Sequence, residues 1–172
     1  RVAVRTPEDR VAFFEFEHAI VATGSRPVAL PGLAFDGERV LDSTGALALT
    51  AVPESVAVVG AGYIGLELGT ALAKLGARVT VVEALDRVLP TVEESLTAPV
   101  LRRLRALGVD LRLAATAQRL DRGALVVTGP NGEGRVEAER VIVAVRRVPN
   151  TDELGLAEAG VAVGPDGLVA VG

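Results

Sequence analysis

Ser55-Val56-Ala57-Val58-Val59-Gly60-Ala61-Gly62-Tyr63-Ile64-Gly65 decides how this 172-residue chain folds. A short β-branched run ends in a glycine turn. From Tyr63 to Leu75 the residues Ile64, Leu68, Ala71, Leu72 and Leu75 then recur at helical spacing, and Gly76 supplies the stop. Arg78-Val79-Thr80-Val81-Val82-Glu83 follows as a second strand. Parallel strands need a crossover of this length, so the stretch reads as a βαβ unit and the fold class as α/β with a parallel sheet.

Downstream, a helix is expected from Glu93 or Ser95 to Leu107, with Leu96, Val100, Leu104 and Leu107 on one stripe and Gly108 as its cap, then a strand over Val109 to Leu113. Gln118 to Asp121, Leu125 to Thr128 and Arg135 to Ala138, with the turn Gly129-Pro130-Asn131-Gly132, predict an antiparallel β-meander. Val141 to Val145 returns as a buried strand. Upstream, strands are expected over Val2 to Arg5 and Val11 to Phe16, and His18 to Thr23 has the look of a strand buried on both faces. Residues 26–53 read as a linker carrying a short helix. An internal repeat links the two ends: Glu17 to Pro27 lines up with Glu139 to Pro149 at an offset of 122, acid before and proline after, which reads as duplication.

Composition removes several classes of function. Eighteen basic against 22 acidic side chains give a net charge of -4, so no overall basic field is available to hold nucleic acid. The absence of cysteine excludes a disulfide, a thiolate nucleophile or a thiolate metal site within these residues, and the single histidine, His18, leaves no cluster for zinc. No apolar run approaches the roughly 20 residues of a membrane helix, so no membrane association is expected. The chain opens in what reads as mid-strand and contains no methionine, which points to an internal piece of a larger protein.

The Gly60-Ala61-Gly62-Tyr63-Ile64-Gly65 stretch fits G-x-G-x-x-G between a strand and a helix. The first glycine permits the tight turn, the second lets backbone approach a pyrophosphate, and the third lets helix and strand pack closely. Free N–H groups at the helix start receive the negative charge. Glu83 ends the second strand, where a carboxylate accepts from both adenosine-ribose hydroxyls and repels a 2′-phosphate, which predicts NAD rather than NADP. A plain βα turn with an exposed glutamate is the competing reading, and a methyltransferase-type site also uses a glycine turn. The Tyr-x-x-x-Lys pair of short-chain dehydrogenases is absent, since Tyr63 is followed four residues on by Glu67, and no G-x-x-x-x-G-K-[ST] loop is present.

Taken in order, Ala22-Thr23-Gly24-Ser25-Arg26-Pro27, Val40-Leu41-Asp42-Ser43-Thr44, Val58 to Gly69 and Val81-Val82-Glu83-Ala84-Leu85-Asp86-Arg87-Val88-Leu89-Pro90 resemble the central part of dihydrolipoamide dehydrogenases, within the pyridine nucleotide–disulfide oxidoreductases. The resemblance implies a Rossmann-like NAD-binding domain (36–148) flanked by partial FAD-domain segments, 1–35 and 149–172. It implies a parent flavoenzyme that oxidises dihydrolipoamide with FAD and NAD, cytoplasmic and homodimeric, within a 2-oxo acid dehydrogenase complex. The redox-active cysteine pair would lie upstream of Arg1, and no catalytic residue is assigned in these residues. A related NADH-dependent oxidase or peroxidase, or a non-catalytic NAD-binding module, are the alternatives.

Residue by residue, the resemblance gives Gly60, Ala61, Gly62, Tyr63, Ile64 and Gly65 the NAD pyrophosphate and nicotinamide pocket, and Glu83 the ribose. Glu67 falls on the first helix turn near the nicotinamide, or is an ordinary helix acid, and Tyr63 is a gate or a surface ring. Ala117 lies beside the adenine, and Ala22, Thr23 and Gly24 meet FAD through backbone. One position departs from the family pattern: Arg146 stands where a glycine approaches NAD. There it either weakens binding, at a cost in space and φ freedom, or swings out to meet a phosphate.

Overall fold

A computed structural model describes residues 1–171. The chain forms two compact units, one of residues 26–148 and one of residues 1–25 together with the segment from Pro149 onward.

In the smaller unit, β1 (Val2–Arg5) and β2 (Val11–Phe14) form an antiparallel hairpin with Val2 opposite Phe14 and Arg5 opposite Val11. Its turn carries Asp9 at φ +61°, with the Asp9 carboxylate 2.7 Å from the Arg5 guanidinium. The expected buried strand over His18 to Thr23 is absent: the run makes no strand pairing, and Ile20 is 96% exposed. A continuous apolar run becomes a two-face-buried strand only when neighbours cover it, and among the described residues this one meets no adjacent strand. Its end is tied down instead, with the Asn150 side chain donating to the Thr23 carbonyl (3.0 Å) and the Asn150 N–H to the Gly24 carbonyl (2.9 Å).

Strand β3 (Ser25–Pro27) leads into the larger unit, which continues with β4 (Val40–Leu41) and α1 (Ser43–Leu47). Then come β5 (Ser55–Val59), α2 (Tyr63–Lys74), β6 (Arg78–Val82), α3 (Glu94–Ala106) and β7 (Asp110–Arg112). The meander β8 (Thr116–Asp121), β9 (Ala124–Gly129) and β10 (Gly132–Glu137) precedes β11 (Arg140–Val143) and β12 (Arg147–Pro149). Five strands make a parallel sheet in the order β4-β11-β5-β6-β7. The meander is a separate antiparallel sheet, and β3 pairs with β12 where the chain enters and leaves the unit.

The segment read as a linker therefore contains a sheet strand. Val40 and Leu41 pair with Val141 and Ile142, and Leu33, 1% exposed, belongs to the core. Asp36 fixes the approach to β4 by accepting from the N–H groups of Glu38, Arg39 and Val40 at 2.9, 2.7 and 2.8 Å. Burial opposes the charge, but these backbone donors prevail and hold the Asp36 carboxyl below its usual range. Asp42 caps α1, accepting from the Gly45 N–H at 2.7 Å.

The sheet is buried on both faces, which explains its unbroken apolar strands. Val56 and Val58 of β5 and Val79 and Val81 of β6 face the helix layer with Leu66, Leu72 and Leu104. Their neighbours Ala57, Val59 and Val82 face the meander with Leu125, Val127 and Val136. Leu104, 1% exposed, gains about 1.5–3 kcal/mol from such burial. The stripe expected on α3 is only partly inward, since Leu96 is 64% exposed. On α2, Gly69 faces Val79 and Val58 closely enough that an added Cβ would touch both, at 3.4 and 3.6 Å, so the helix lies tight on the sheet.

Candidate functional site

The strand order changes direction at β5: the chain moves by way of α2 and α3 to β6 and β7 on one side, and β11 and β4 lie on the other. In open α/β sheets such a switch point leaves a crevice beyond the carboxyl ends of the strands. A cavity of about 520 Å³ occupies that place here, within the size range of small-molecule sites. Val59 and Gly60 after β5, Val82 and Glu83 after β6, and Ala144 and Val145 after β11 line it. Gly62 and Ala117 complete the set of sequence-predicted residues brought to its wall.

The glycine turn is built for close approach. Gly60 has φ +105°, and an added Cβ would stand 2.7 Å from the Ala144 carbonyl oxygen. A Cβ on Gly65 would collide with the Gly60 carbonyl, so this glycine sets the contact between α2 and the turn. Gly62 is the N-cap of α2 and has no atom within 4 Å of its Cβ direction. The N–H groups of Tyr63, Ile64 and Gly65 open the helix and have no partner within it, which leaves a positive end beside the cavity.

Glu83 does more than end a strand. One carboxylate oxygen accepts from the Ala61 N–H (2.7 Å) and the other from the Leu85 N–H (2.9 Å). The opposite edge of Ala61 is also held, because Leu89, at φ +48°, donates its N–H to the Ala61 carbonyl (2.9 Å). The loop after β6 thus grips the glycine turn on both sides. Each oxygen of Glu83 keeps a further lone-pair position, and the two together match the two hydroxyls of a ribose.

The other predicted positions divide. Tyr63 is 67% exposed at the start of α2, and Ile64 is half-buried beside it. Glu67 is the fifth helical residue and lies beyond the first turn, contrary to expectation, because α2 starts at Tyr63. The dipole's benefit fades after that turn. Arg146 is exposed, and its backbone is not left-handed, so the expected loss of φ freedom does not occur. Its carbonyl accepts from the Val28 N–H (3.1 Å), and its guanidinium has no partner among the described residues. Ala22, Thr23 and Gly24 belong to the smaller unit.

Sequence reasoning missed Leu30, Pro31, Leu85, Pro90 and Gln118, all on the cavity wall. Leu85 and Pro90 lie in the Val81–Pro90 stretch that carries the resemblance, whereas no short-range pattern marks Leu30, Pro31 and Gln118, which turns and a bulge far apart in the chain bring to the wall. Among the described residues no helix is long and apolar enough to cross a membrane.

A family model for pyridine nucleotide-disulphide oxidoreductases matches residues 2–172. The chain belongs to this family. Among curated relatives, dihydrolipoyl dehydrogenase 2 of Haloarcula marismortui is 53% identical over 146 residues, covering 82% of this chain and 31% of the relative. The crystal structure of LpdA from Mycobacterium tuberculosis superposes with a TM-score of 0.85 at 34% identity, covering 99% of this chain and 37% of that one. The HOCl-induced flavoprotein disulfide reductase RclA of Escherichia coli, in its Cu(II) complex, gives 0.82 at 30% identity, over 98% of this chain and 38% of that one. The chain spans about a third of the length of the curated relatives it matches.

Proposed function

We propose that residues 36–148 bind NAD and form the nucleotide-binding portion of an FAD-dependent dihydrolipoyl dehydrogenase. The observation that carries this reading is Glu83. It sits on the wall of the switch-point cavity, beside a glycine turn and an open helix N-terminus, with lone pairs left for two ribose hydroxyls. In this reading the pyrophosphate lies against Gly60, Ala61, Gly62 and the N–H groups of Tyr63, Ile64 and Gly65. Glu83 takes the ribose, and Ala117 flanks the adenine. Tyr63, Ile64, Glu67 and Arg146 border the course of the dinucleotide.

The segments 1–35 and 149–172 are then parts of the FAD domain, with Ala22, Thr23 and Gly24 toward the flavin nucleotide. Bound flavin supplies the relay between dithiol and nicotinamide, and these residues supply the nucleotide's seat. The names of the relatives, dihydrolipoyl dehydrogenases, support a parent that oxidises dihydrolipoamide, and the same reading takes that parent to be a cytoplasmic homodimer in a 2-oxo acid dehydrogenase complex. The likeness to a flavoprotein disulfide reductase favours, as a second reading, a different electron acceptor or donor on the same scaffold.

Calorimetry with NADH and NADPH tests the seat. A carboxylate about 4 Å from a 2′-phosphate costs on the order of 1–4 kcal/mol, so NADH should bind at least about five-fold more tightly. Equal affinities would contradict the ribose assignment. A flavin absorbance spectrum of the purified protein and NAD-dependent oxidation of dihydrolipoamide test the parent activity; a flavoprotein inert toward dihydrolipoamide would favour the second reading, and a colourless protein that binds NADH would reduce the assignment to a binding module.

A further inference from the structure

The first strand of the meander is irregular at the cavity. Ala117 stands opposite Val127 and Arg119 opposite Val126, so Gln118 is the extra residue of a β-bulge. Bulges near functional sites re-aim a side chain out of the regular ladder. Gln118 lines the cavity, is exposed, and its amide has no hydrogen-bond partner among the described residues. The bulge is backed by a tight turn: Gly32, at φ +77°, lies so close that an added Cβ would run into the Gln118 carbonyl. The same turn contributes Leu30 and Pro31 to the wall, and Leu85 and Pro90 come from the loop after β6.

These residues give the cavity an apolar slot with a free amide at its meander end. Glu83 is close in the chain's hydrogen bonding, since its carbonyl accepts from the Ala115 N–H at 2.9 Å. A base attached to a ribose held by Glu83, with its phosphates at α2, extends away from the helix toward this slot.

We propose that Gln118 reads the adenine of the dinucleotide, an inference that rests on the NAD assignment above. Its carbonyl oxygen accepts from the exocyclic amino group N6, and its amide nitrogen donates to the ring nitrogen N7. A 6-oxo purine presents acceptors at both positions and cannot satisfy this pairing, so one bidentate contact discriminates by about five-fold or more.

The test titrates the protein with NADH and with nicotinamide hypoxanthine dinucleotide, in its reduced form, following nicotinamide fluorescence. The unmodified protein should prefer NADH by about five-fold or more, and Gln118→Leu should bring the two within about two-fold while leaving the NADH-to-NADPH ratio unchanged. Gln118→Ala provides a second variant, and thermal unfolding checks that both keep the fold. No preference in the unmodified protein, or a preference that survives in both variants, overturns the role of Gln118 while leaving the NAD assignment intact. Failure of the unmodified protein to bind NADH at all overturns both.

Discussion

Gly60 and Gly62 are two residues apart in one motif, and the structure gives them opposite jobs that alanine separates. At Gly60 an alanine meets two obstacles. Its φ of +105° lies where side chains are strained by at least about 1–2 kcal/mol. Its Cβ would also press 2.7 Å from the Ala144 oxygen and 3.0 Å from the Ala144 carbonyl carbon, backbone atoms that give way only if β11's exit shifts, a further ~1–3 kcal/mol. Together Gly60→Ala should cost about 2–5 kcal/mol of stability, lowering Tm by roughly 4 °C or more. At Gly62 the φ is ordinary and the Cβ direction is empty, so Gly62→Ala should cost at most about 1 kcal/mol, the loss of a favourable N-cap glycine. The empty space is the cavity's own, so its penalty appears on titration: NADH affinity should fall about tenfold or more, as a methyl replaces the approach of a phosphate to backbone. Thermal unfolding and NADH titration of both variants check the pair. A Gly60→Ala protein as stable as the original, or a Gly62→Ala protein that binds NADH normally, would refute the division of roles.

Glu83→Gln keeps an acceptor but loses the second carboxylate oxygen that holds the turn or the Leu85 loop; calorimetry should show weaker NADH binding together with a smaller preference over NADPH. Asp36 has a depressed carboxyl pKa, so its stabilising effect is complete above the unfolded value near 3.8 and is lost as pH falls below it. Asp36→Asn keeps the Oδ1 that takes all three N–H bonds and loses only a solvent-screened charge, so it should remove less than about 1 kcal/mol at neutral pH and flatten the acid limb of a stability-against-pH curve measured by urea unfolding. Arg146→Gly should weaken NADH binding by about two-fold to five-fold at low salt, with the gap closing at high salt, because an unpaired guanidinium one residue beyond the cavity wall acts mainly through charge. Unchanged affinity at low salt would remove that residue from the binding surface.

The βαβ unit was legible because its signals are local: β-branched runs, a glycine turn, helical spacing and Gly76 at φ +104° all act within 30 residues of each other. The meander was legible for the same reason, since Pro130 and Asn131 sit where β9 gives way to β10. What escaped depends on distant partners. Val40-Leu41 is too short to stand out and becomes a strand only by pairing with residues a hundred positions on. His18 to Thr23 shows the converse error, an apolar run with strand composition and no strand beside it among the described residues. At the site, Gly60, Gly62, Glu83 and Ala117 could be singled out from motif and resemblance and do share one cavity. Gln118 could not, because a bulge is a property of two strands rather than of one sequence.

The pairing of β3 with β12 holds the entrance and exit of residues 26–148 about one strand spacing, roughly 4.8 Å, apart. For the flanking polypeptide, everything between those strands is a pre-closed loop, whose length has already ceased to matter to its ends. Lengthening the meander or a helix leaves the gap between the two flanks unchanged, and so does exchanging the interior for another that presents the same two strands. An interior delivered on such a clasp can be altered or replaced without re-threading the polypeptide that flanks it, and the residues that fasten it, Ser25–Pro27 and Arg147–Pro149, are the ones that line up at the ends of the two repeated stretches.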